Sequence, residues 1–207
     1  MTPTTTAGPV MAMARSSGLG IAIVAALASA ATLAAIVAGS APDANRGQAF
    51  AWLQPSAPPS GWNTSALPDR TARLAYPLRW RSIRTDPGTV SAAIRAKAGG
   101  IAGYLNATPQ QGAETLANWS SFRVDHNGDE GDVNVKPVAS ATNLRFRSAR
   151  GSCVIDTYTS STGHAYREIA CIVAGANATT VVVGAAPPAQ WSQQGPAIER
   201  AISSFLT

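Results

Sequence analysis

Two cysteines, Cys153 and Cys171, constrain the fold of this 207-residue chain more than any other feature, because the sequence contains no others. They lie in two β-rich segments of 151–174, which flank a short polar stretch, 160–164, with the composition of a five-residue hairpin loop. Pairing the segments symmetrically about Thr162 places the cysteines opposite each other, where Cβ atoms are about 4.5–5.5 Å apart. The pattern predicts a cross-strand disulfide, and two buried free thiols are the alternative.

The same register fixes the neighbours of the other hairpin side chains. It pairs apolar, aromatic and acidic residues across the two strands: Ile155 with Ile169, Tyr158 with Tyr166, and Asp156 with Glu168. The acidic pair is unfavourable unless Arg167 or solvent screens it. The tyrosines and carboxyl groups share one face of the hairpin, which either lines a polar cleft or forms an outward polar surface.

An uncharged segment lies near the N-terminus. No charged residue occurs over 16–42, and 18–40 is almost wholly apolar or small. A helix of that length crosses a hydrocarbon core of about 30 Å. We expect a cytoplasmic tail over 1–17, a single transmembrane anchor over 18–40 and an extracytoplasmic C-terminal part, where a disulfide is stable. The alternative is a signal peptide cleaved near Ser40, which gives a secreted protein.

The following segment, 41–71, is rich in proline and small polar residues. This composition predicts an extended linker that precedes an extracytoplasmic domain over 72–207. Trp52 lies within it, and either sits at the membrane interface or packs on the domain.

Apolar and polar patterns predict an α+β domain after the linker. Alternation predicts a strand over 78–84 with Leu78 and Trp80 on one face, and the pattern predicts further strands over 101–106, 133–140, 144–147 and 179–186. The last of these is apolar on both faces, which is typical of a central strand. A strand is also predicted over 89–97, where the alanines leave a helix as the alternative. A closing helix carries Ile198, Ala201, Ile202 and Phe205 at helical spacing.

A second helix is predicted in the middle of the domain. Thr108 and Pro109 followed by two glutamines form a capping-box pattern, which predicts a helix from Thr108 to Val124. The acidic stretch 125–132 then predicts a polar loop with Asn127 or Gly128 as a left-handed cap.

No catalytic or metal-binding signature stands out. The chain lacks G-x-S-x-G, H-E-x-x-H, Walker A and G-x-G-x-x-G patterns, and both histidines, His126 and His164, fall in predicted loops. Asp125, Asn127 and Asp129 begin a calcium-loop pattern, but the glycine and the final glutamate of that pattern are missing. We therefore expect no enzymatic activity, no cofactor and no metal site.

Four arginines are candidates for contact with an anionic surface. Arg79, Arg81, Arg145 and Arg147 alternate with apolar residues and form a basic stripe if their strands are neighbours. Such a stripe suits anionic lipid headgroups or envelope polymers, and a solvated strand face is the alternative. The formal net charge of +5 does not require a nucleic-acid partner.

The layout resembles that of the PsbP-like family, which includes photosystem-associated PsbP proteins and mycobacterial LpqN-like lipoproteins. The resemblance covers 70–207 and depends on Tyr-Pro-Leu-Arg-Trp at 76–80, the predicted helix over 108–124, the run of antiparallel strands and the ending 198–205. It implies an αβα sandwich around an antiparallel sheet that serves in binding or assembly, without a shared catalytic site. The chain departs from the lipoproteins because it lacks a lipobox.

Together these patterns indicate a membrane-anchored, extracytoplasmic, non-enzymatic binding or accessory domain of a bacterial cell envelope, whose partner is an envelope protein, a lipid or an anionic polymer. A second hypothesis is a carrier or sensor of a small apolar or lipidic ligand held between sheet and helix, suggested by Trp119, Phe122 and Trp191. A third, an enzyme, requires a cleft that gathers His126 or His164 with carboxylates.

Overall fold

The computed structural model describes residues 48–97 and 99–207. The strands and helices in this part, in chain order, are β1 (Asn63–Ala66), β2 (Arg73–Tyr76), β3 (Arg81–Ile83), β4 (Val90–Arg95), β5 (Ile101–Pro109), α1 (Trp119–Asp129), β6 (Val133–Arg145), β7 (Arg150–Thr159), β8 (Ala165–Ala174), β9 (Thr179–Ala186) and α2 (Trp191–Ser203). Strands β3 to β9 form a seven-stranded antiparallel sheet in the order β3-β4-β5-β9-β8-β7-β6, and β1 pairs with β2. The α+β class is confirmed, with β9 at the centre of the sheet.

The hairpin of β7 and β8 has the predicted register at every position named above. Cys153 pairs with Cys171 and Asp156 with Glu168. The cysteines form a disulfide with a Cα–Cα distance of 4.1 Å. Because both sulfur-bearing residues are buried, the bond joins two interior strands within the core.

Helix α2 covers one face of the sheet. Ile198, Ala201 and Ile202 are fully buried in a core that also contains the disulfide. Gly184 of β9 permits this close approach, because a Cβ atom there would collide with Ile198. The spacing predicted for the closing helix is confirmed for these three residues, whereas Phe205 lies beyond the end of the helix and is buried there.

Helix α1 covers the other face, but it begins later than predicted. Thr108 and Pro109 end β5, where they pair with Val181 and Thr180 of β9. The capping-box pattern was misleading because the backbone at this point is paired in the sheet, and a proline is tolerated at a strand end. The helix starts only at Trp119, after a loop over 110–118.

The end of α1 also differs from the prediction. The helix continues through Asn127 and Gly128, and the left-handed residue is Gly131, with φ of 87°. The amide of Gly131 donates to Gly128 and that of Asp132 to Asn127, which is the paired Schellman arrangement. The stretch predicted as a polar loop is therefore largely helical.

The segment predicted as a linker is not extended over its described part. Phe50, Leu53 and Leu67 are buried in the core shared with α2, and Trp52 and Trp62 pack against it. This proline-rich segment therefore packs on the domain and buries its apolar side chains against the core. The part of the linker before residue 48 and the predicted anchor, 18–40, lie outside the described residues.

Two strand predictions need correction. Residues 77–80 form a turn closed by the amide of Trp80 and the carbonyl of Pro77, so Trp80 is 1% exposed while Leu78 is 65% exposed. The two segments predicted over 133–147 are one long strand, β6, which shifts register at three places along β7. Such shifts bend an edge strand without ending it.

Within the residues that the structure describes, no helix combines the length and apolar character needed to cross a bilayer.

Candidate functional site

A cleft of about 500 Å³ lies between α1, the loop over 110–118 and the adjacent face of the sheet. Strands β5, β7, β8 and β9 contribute its floor through alternate residues, because side chains of a strand point to opposite faces in turn. The lining includes Asp86, Tyr104, Asn106, Glu114, Trp119, Phe122, Arg123, His126, Glu130, Tyr158 and Glu168. Both charged and aromatic groups therefore face one concavity.

A buried ion pair lies at the base of the cleft. Arg123 of α1 donates from Nε to Oε1 of Glu168 at 2.7 Å and from Nη2 to Oε2 at 3.0 Å. The two side chains are 13% and 1% exposed. Burial alone would lower the pKa of Arg123, but the adjacent Glu168 carboxylate outweighs this and raises it. The arginine is thus a permanent cation that compensates the glutamate.

Asp156 lies beside this pair and is fully buried. No described donor reaches either of its carboxyl oxygens. Burial, and then the negative charge of Glu168, raise the pKa of Asp156 to about 8. At neutral pH the carboxyl group is therefore mainly protonated, which removes most of the repulsion across the hairpin. The screening that the acidic pair requires is provided by Arg123 and not by Arg167, whose Cζ lies 4.9 Å from the ring centroid of Trp191 on the opposite face.

Two tyrosines complete the polar wall. Tyr158 donates to Oε2 of Glu168 at 3.4 Å, and burial followed by that same charge raises its pKa. Tyr104 is 3.3 Å from the hydroxyl of Ser91, and burial raises its pKa as well. Both phenols stay protonated and present hydroxyl groups to the cleft.

An aromatic row on α1 forms the opposing wall. Trp119 stacks on Phe122 with 6.2 Å between ring centroids, and Phe122 stacks on His126 with 5.8 Å. The indole of Trp119 is fixed because its Nε1 donates to the carbonyl of Ala170 at 2.9 Å. The spacing of these residues along one helical face explains why Arg123, four residues after Trp119, points to the same cleft.

Glu114 closes the site from the loop over 110–118. Its Oε1 accepts from the backbone amide of Gln111 at 2.7 Å. The residue is 4% exposed, and its Oε2 has no partner among the described residues. A buried carboxyl oxygen without a donor is costly, so Oε2 has a hydrogen-bonding capacity that no described residue meets.

Some of the site residues predicted from the sequence line the cleft, and others do not. Tyr158 and Glu168 line the cleft, with Asp156 beside them and Tyr166 next to Tyr158 at 5.7 Å between rings, so the cleft alternative holds for this hairpin face. Trp119 and Phe122 also line it. Trp191 does not, because it packs on the α2 side of the sheet.

The histidines are separated. His126 lies in the cleft, with Nε2 at 3.2 Å from Oε1 of Glu130, whereas His164 is exposed in the turn between β7 and β8. The calcium-loop residues Asp125, Asn127 and Asp129 lie on α1, and helical geometry does not wrap alternate residues around an ion. The described residues contain no cluster of three or more metal-binding side chains placed for an ion.

The four predicted surface arginines do not form one stripe. Arg81 is on β3 and Arg145 on β6, the two opposite edges of the sheet. The structure instead gathers arginines at the end of β6, where Arg145, Arg147 and Arg150 line one concavity and Arg73 and Arg147 another. We call Arg73, Arg145, Arg147 and Arg150 the arginine surface.

Sequence reasoning missed Arg123, Glu114 and Tyr104. The helical spacing from Trp119 was a usable signal for Arg123. No local pattern marks the other two: Tyr104 reaches the cleft through the pairing of β5 with β9, and Glu114 through the conformation of the loop over 110–118.

Comparison with solved structures gives the fold. The chain is similar to cyanobacterial PsbP (CyanoP) from Synechocystis sp. PCC 6803, with a TM-score of 0.53 and 9% identity over 72% of this chain and 94% of that one. The predicted resemblance to the PsbP-like fold is confirmed. A protein of Bacteroides thetaiotaomicron gives a TM-score of 0.42 at 11% identity over 71% of this chain and 48% of its own. A Pseudomonas aeruginosa protein of unknown function gives 0.42 at 11% identity over 72% and 98%.

The sequence matches no protein-family model and no curated protein.

Proposed function

We propose that this chain is a non-enzymatic, extracytoplasmic binding domain, and that a small ligand occupies the cleft under α1. The observation that carries this is the cleft itself, whose volume of about 500 Å³ is that of a small-molecule site. Its walls contain ionisable groups, whose burial costs folding free energy. A surface kept only for stability would replace them with apolar residues.

The chemistry of the cleft favours binding over catalysis. His126 is the histidine in it, and its neighbours are Glu130 and the ring of Phe122. The hydroxyl of Thr89 bonds to Thr85 and to the carbonyl of Asp86, and that of Thr108 to the carbonyl of Pro109. Neither hydroxyl is bonded to a base that would activate it as a nucleophile.

The mixed walls refine the carrier hypothesis. Trp119 and Phe122 offer apolar area, but Glu114, Arg123 and Glu168 face the same space. A wholly apolar or lipidic occupant would leave the free oxygen of Glu114 without a donor. The ligand we propose therefore has both an apolar body and a polar group.

We propose that the domain lies outside the cytoplasm and that the apolar segment 18–40 anchors it to the membrane. The disulfide of Cys153 and Cys171 supports an oxidising compartment. The uncharged composition of 16–42 supports the anchor, with cleavage near Ser40 and secretion as the alternative. Exposure of the domain to external protease in intact cells, with the protein retained in membranes, is the expected result; a protease-shielded domain would contradict it.

A second contact is proposed at the arginine surface. Arg145 and Arg147 share a concavity with Leu53, Gln54 and Pro55, a segment that follows closely on the proposed anchor in the sequence. Clustered arginines near a bilayer are attracted to anionic headgroups by about 1 kcal/mol each. The partner proposed here is the anionic leaflet that carries the anchor.

Native mass spectrometry of the full chain, purified from its own membrane, tests the cleft. Gly112→Leu is the blocking variant, because a Cβ atom there would lie 3.0 Å from Oε2 of Glu114 and 4.0 Å from Cζ of Phe122. Gly128→Leu is the matched control, since it places the same side chain in open space on α1. We expect a bound small molecule in the wild type and in Gly128→Leu, and none in Gly112→Leu. An adduct that survives Gly112→Leu, or a wild type without any, would contradict the proposal.

A further inference from the structure

We propose that the ligand of the cleft is a small organic cation, an ammonium group attached to an apolar body. This inference rests on the proposed binding function and names the chemical class of the ligand. Three features of the cleft carry it: its charge balance, the free oxygen of Glu114 and the aromatic row on α1.

The charge balance of the cleft is opposite to that of the chain. Asp86, Glu114, Glu130 and Glu168 bring four carboxyl groups to a lining that has one guanidinium, Arg123. The chain as a whole has a formal charge of +5. A cleft with low-dielectric walls focuses its own charge, so it attracts cations from solution in spite of the basic surface.

The basic side chains in the cleft are already engaged. Arg123 directs two donors to Glu168, and His126 lies against Glu130. No described cation forms an ion pair with Glu114 or Asp86. An anionic ligand would meet these carboxyl groups without a donor, whereas a cation compensates them.

Glu114 provides a fixed anchor for such a cation. The bond from the amide of Gln111 holds Oε1, and only 4% of the residue is exposed. Oε2 is left without a partner among the described residues while the residue lines the cleft. An ammonium group is the donor that satisfies a carboxylate oxygen most strongly, because the bond is charge-assisted.

The aromatic row supplies the second half of the site. Trp119 and Phe122 stack 6.2 Å apart along the wall, and Phe122 lies close to the Glu114 side of the cleft. The row presents apolar area to the cleft, on which the body of a ligand can pack beside the carboxylate. A carboxylate beside an aromatic wall therefore selects a cation with an apolar body over a fully hydrated metal ion or a neutral lipid.

Isothermal titration calorimetry on the full chain in detergent tests the inference with a matched pair of probes. Benzylamine is a cation at neutral pH, and benzyl alcohol has nearly the same shape without the charge. We expect benzylamine to bind the wild type about tenfold more tightly than benzyl alcohol, which is the gain typical of one charge-assisted bond. Glu114→Gln keeps the side-chain size and should abolish this preference, with thermal unfolding recorded to establish that the variant is folded. Asp69→Asn removes the same formal charge on the exposed surface and should retain the preference.

The outcomes separate this inference from the binding function. Equal affinity for the two probes, lost in Gly112→Leu, would overturn the cation while the cleft remains the ligand site. Binding of benzylamine that survives both Gly112→Leu and Glu114→Gln would overturn the cation site in this cleft. Absence of benzylamine binding at millimolar concentration would overturn it as well, whatever native mass spectrometry finds in the cleft.

Discussion

The two faces of the seven-stranded sheet are built for different purposes. The face under α2 shares a large apolar core that holds the disulfide, Ile198 and Phe205. The face under α1 has a much smaller apolar cluster around Trp119, and beside it the buried groups Arg123, Asp156 and Glu168. Buried charges seldom improve stability over apolar residues. One face therefore supplies the stability that permits the other to keep buried polar groups, which we propose serve a ligand.

The largest expected effect is on the α1 face. Arg123→Met leaves Glu168 buried without its cation, and this should lower the free energy of unfolding by about 4 kcal/mol. The double variant Arg123→Met with Glu168→Leu removes both charges and should recover most of that loss. Urea denaturation of the three proteins measures both quantities. A single variant as stable as the wild type would show that the pair is solvated, and that the two faces do not differ as described.

Next in size is a change on the α2 face. Ile198 is fully buried against the sheet, so Ile198→Ala should cost about 3 kcal/mol through lost contacts and a cavity. Leu78→Ala is the control, because Leu78 is 65% exposed and should cost less than about 0.5 kcal/mol. Affinity of the folded protein for a cleft ligand should be unchanged in both. A loss of affinity in Ile198→Ala would mean that the faces are coupled.

A smaller effect, of opposite sign, is expected at Asp156. The ordinary pKa of an aspartate is 3.8, and in the folded protein the pKa of Asp156 is about 8. As pH rises, Asp156 therefore loses its proton at a lower pH in the unfolded chain than in the folded protein. Wild-type stability should therefore fall between about pH 4 and pH 8. Asp156→Asn removes this dependence and should stabilise the protein at pH 8 by on the order of 1–3 kcal/mol, with little effect near pH 4.

Thermal unfolding of both proteins across this pH range measures the difference. Asp69→Asn is the matched control, because the hydrogen bonds from Thr71 lower the pKa of Asp69, and its loss should act in the opposite direction. A destabilised Asp156→Asn at pH 8 would contradict a strained acidic site on the α1 face.

Sequence reasoning predicted the scaffold better than the site, and the reason is physical. The hairpin register follows from local alternation and from two cysteines that are each other's only possible partner. The helix start predicted at Thr108 and Pro109 was wrong because the local capping pattern competes with strand pairing to β9, which is more than 70 residues away. The ion pair of Arg123 with Glu168 spans 45 residues, and no periodicity reports such a contact.

The smallest effect on stability is expected at the arginine surface. Arg145→Gln with Arg147→Gln should change the free energy of unfolding by less than about 0.5 kcal/mol, because both side chains are exposed. In nanodiscs with anionic lipid, the full chain should show slower hydrogen exchange over 146–149 than in neutral nanodiscs. The double variant should lose this protection. Arg79→Gln with Arg81→Gln should retain it, and equal loss in both variants would indicate a nonspecific charge effect.

The indole N–H spectrum of the full chain tests the central claim, that the cleft under α1 is the ligand site, most directly. The chain has five tryptophans. Trp119 lines the cleft, while Trp52, Trp62, Trp80 and Trp191 belong to the core on the α2 side. Titration with benzylamine and benzyl alcohol should shift the Trp119 signal, identified by Trp119→Phe, and leave the other four in place. Shifts confined to the other indoles, or no shift with either probe, would contradict the account.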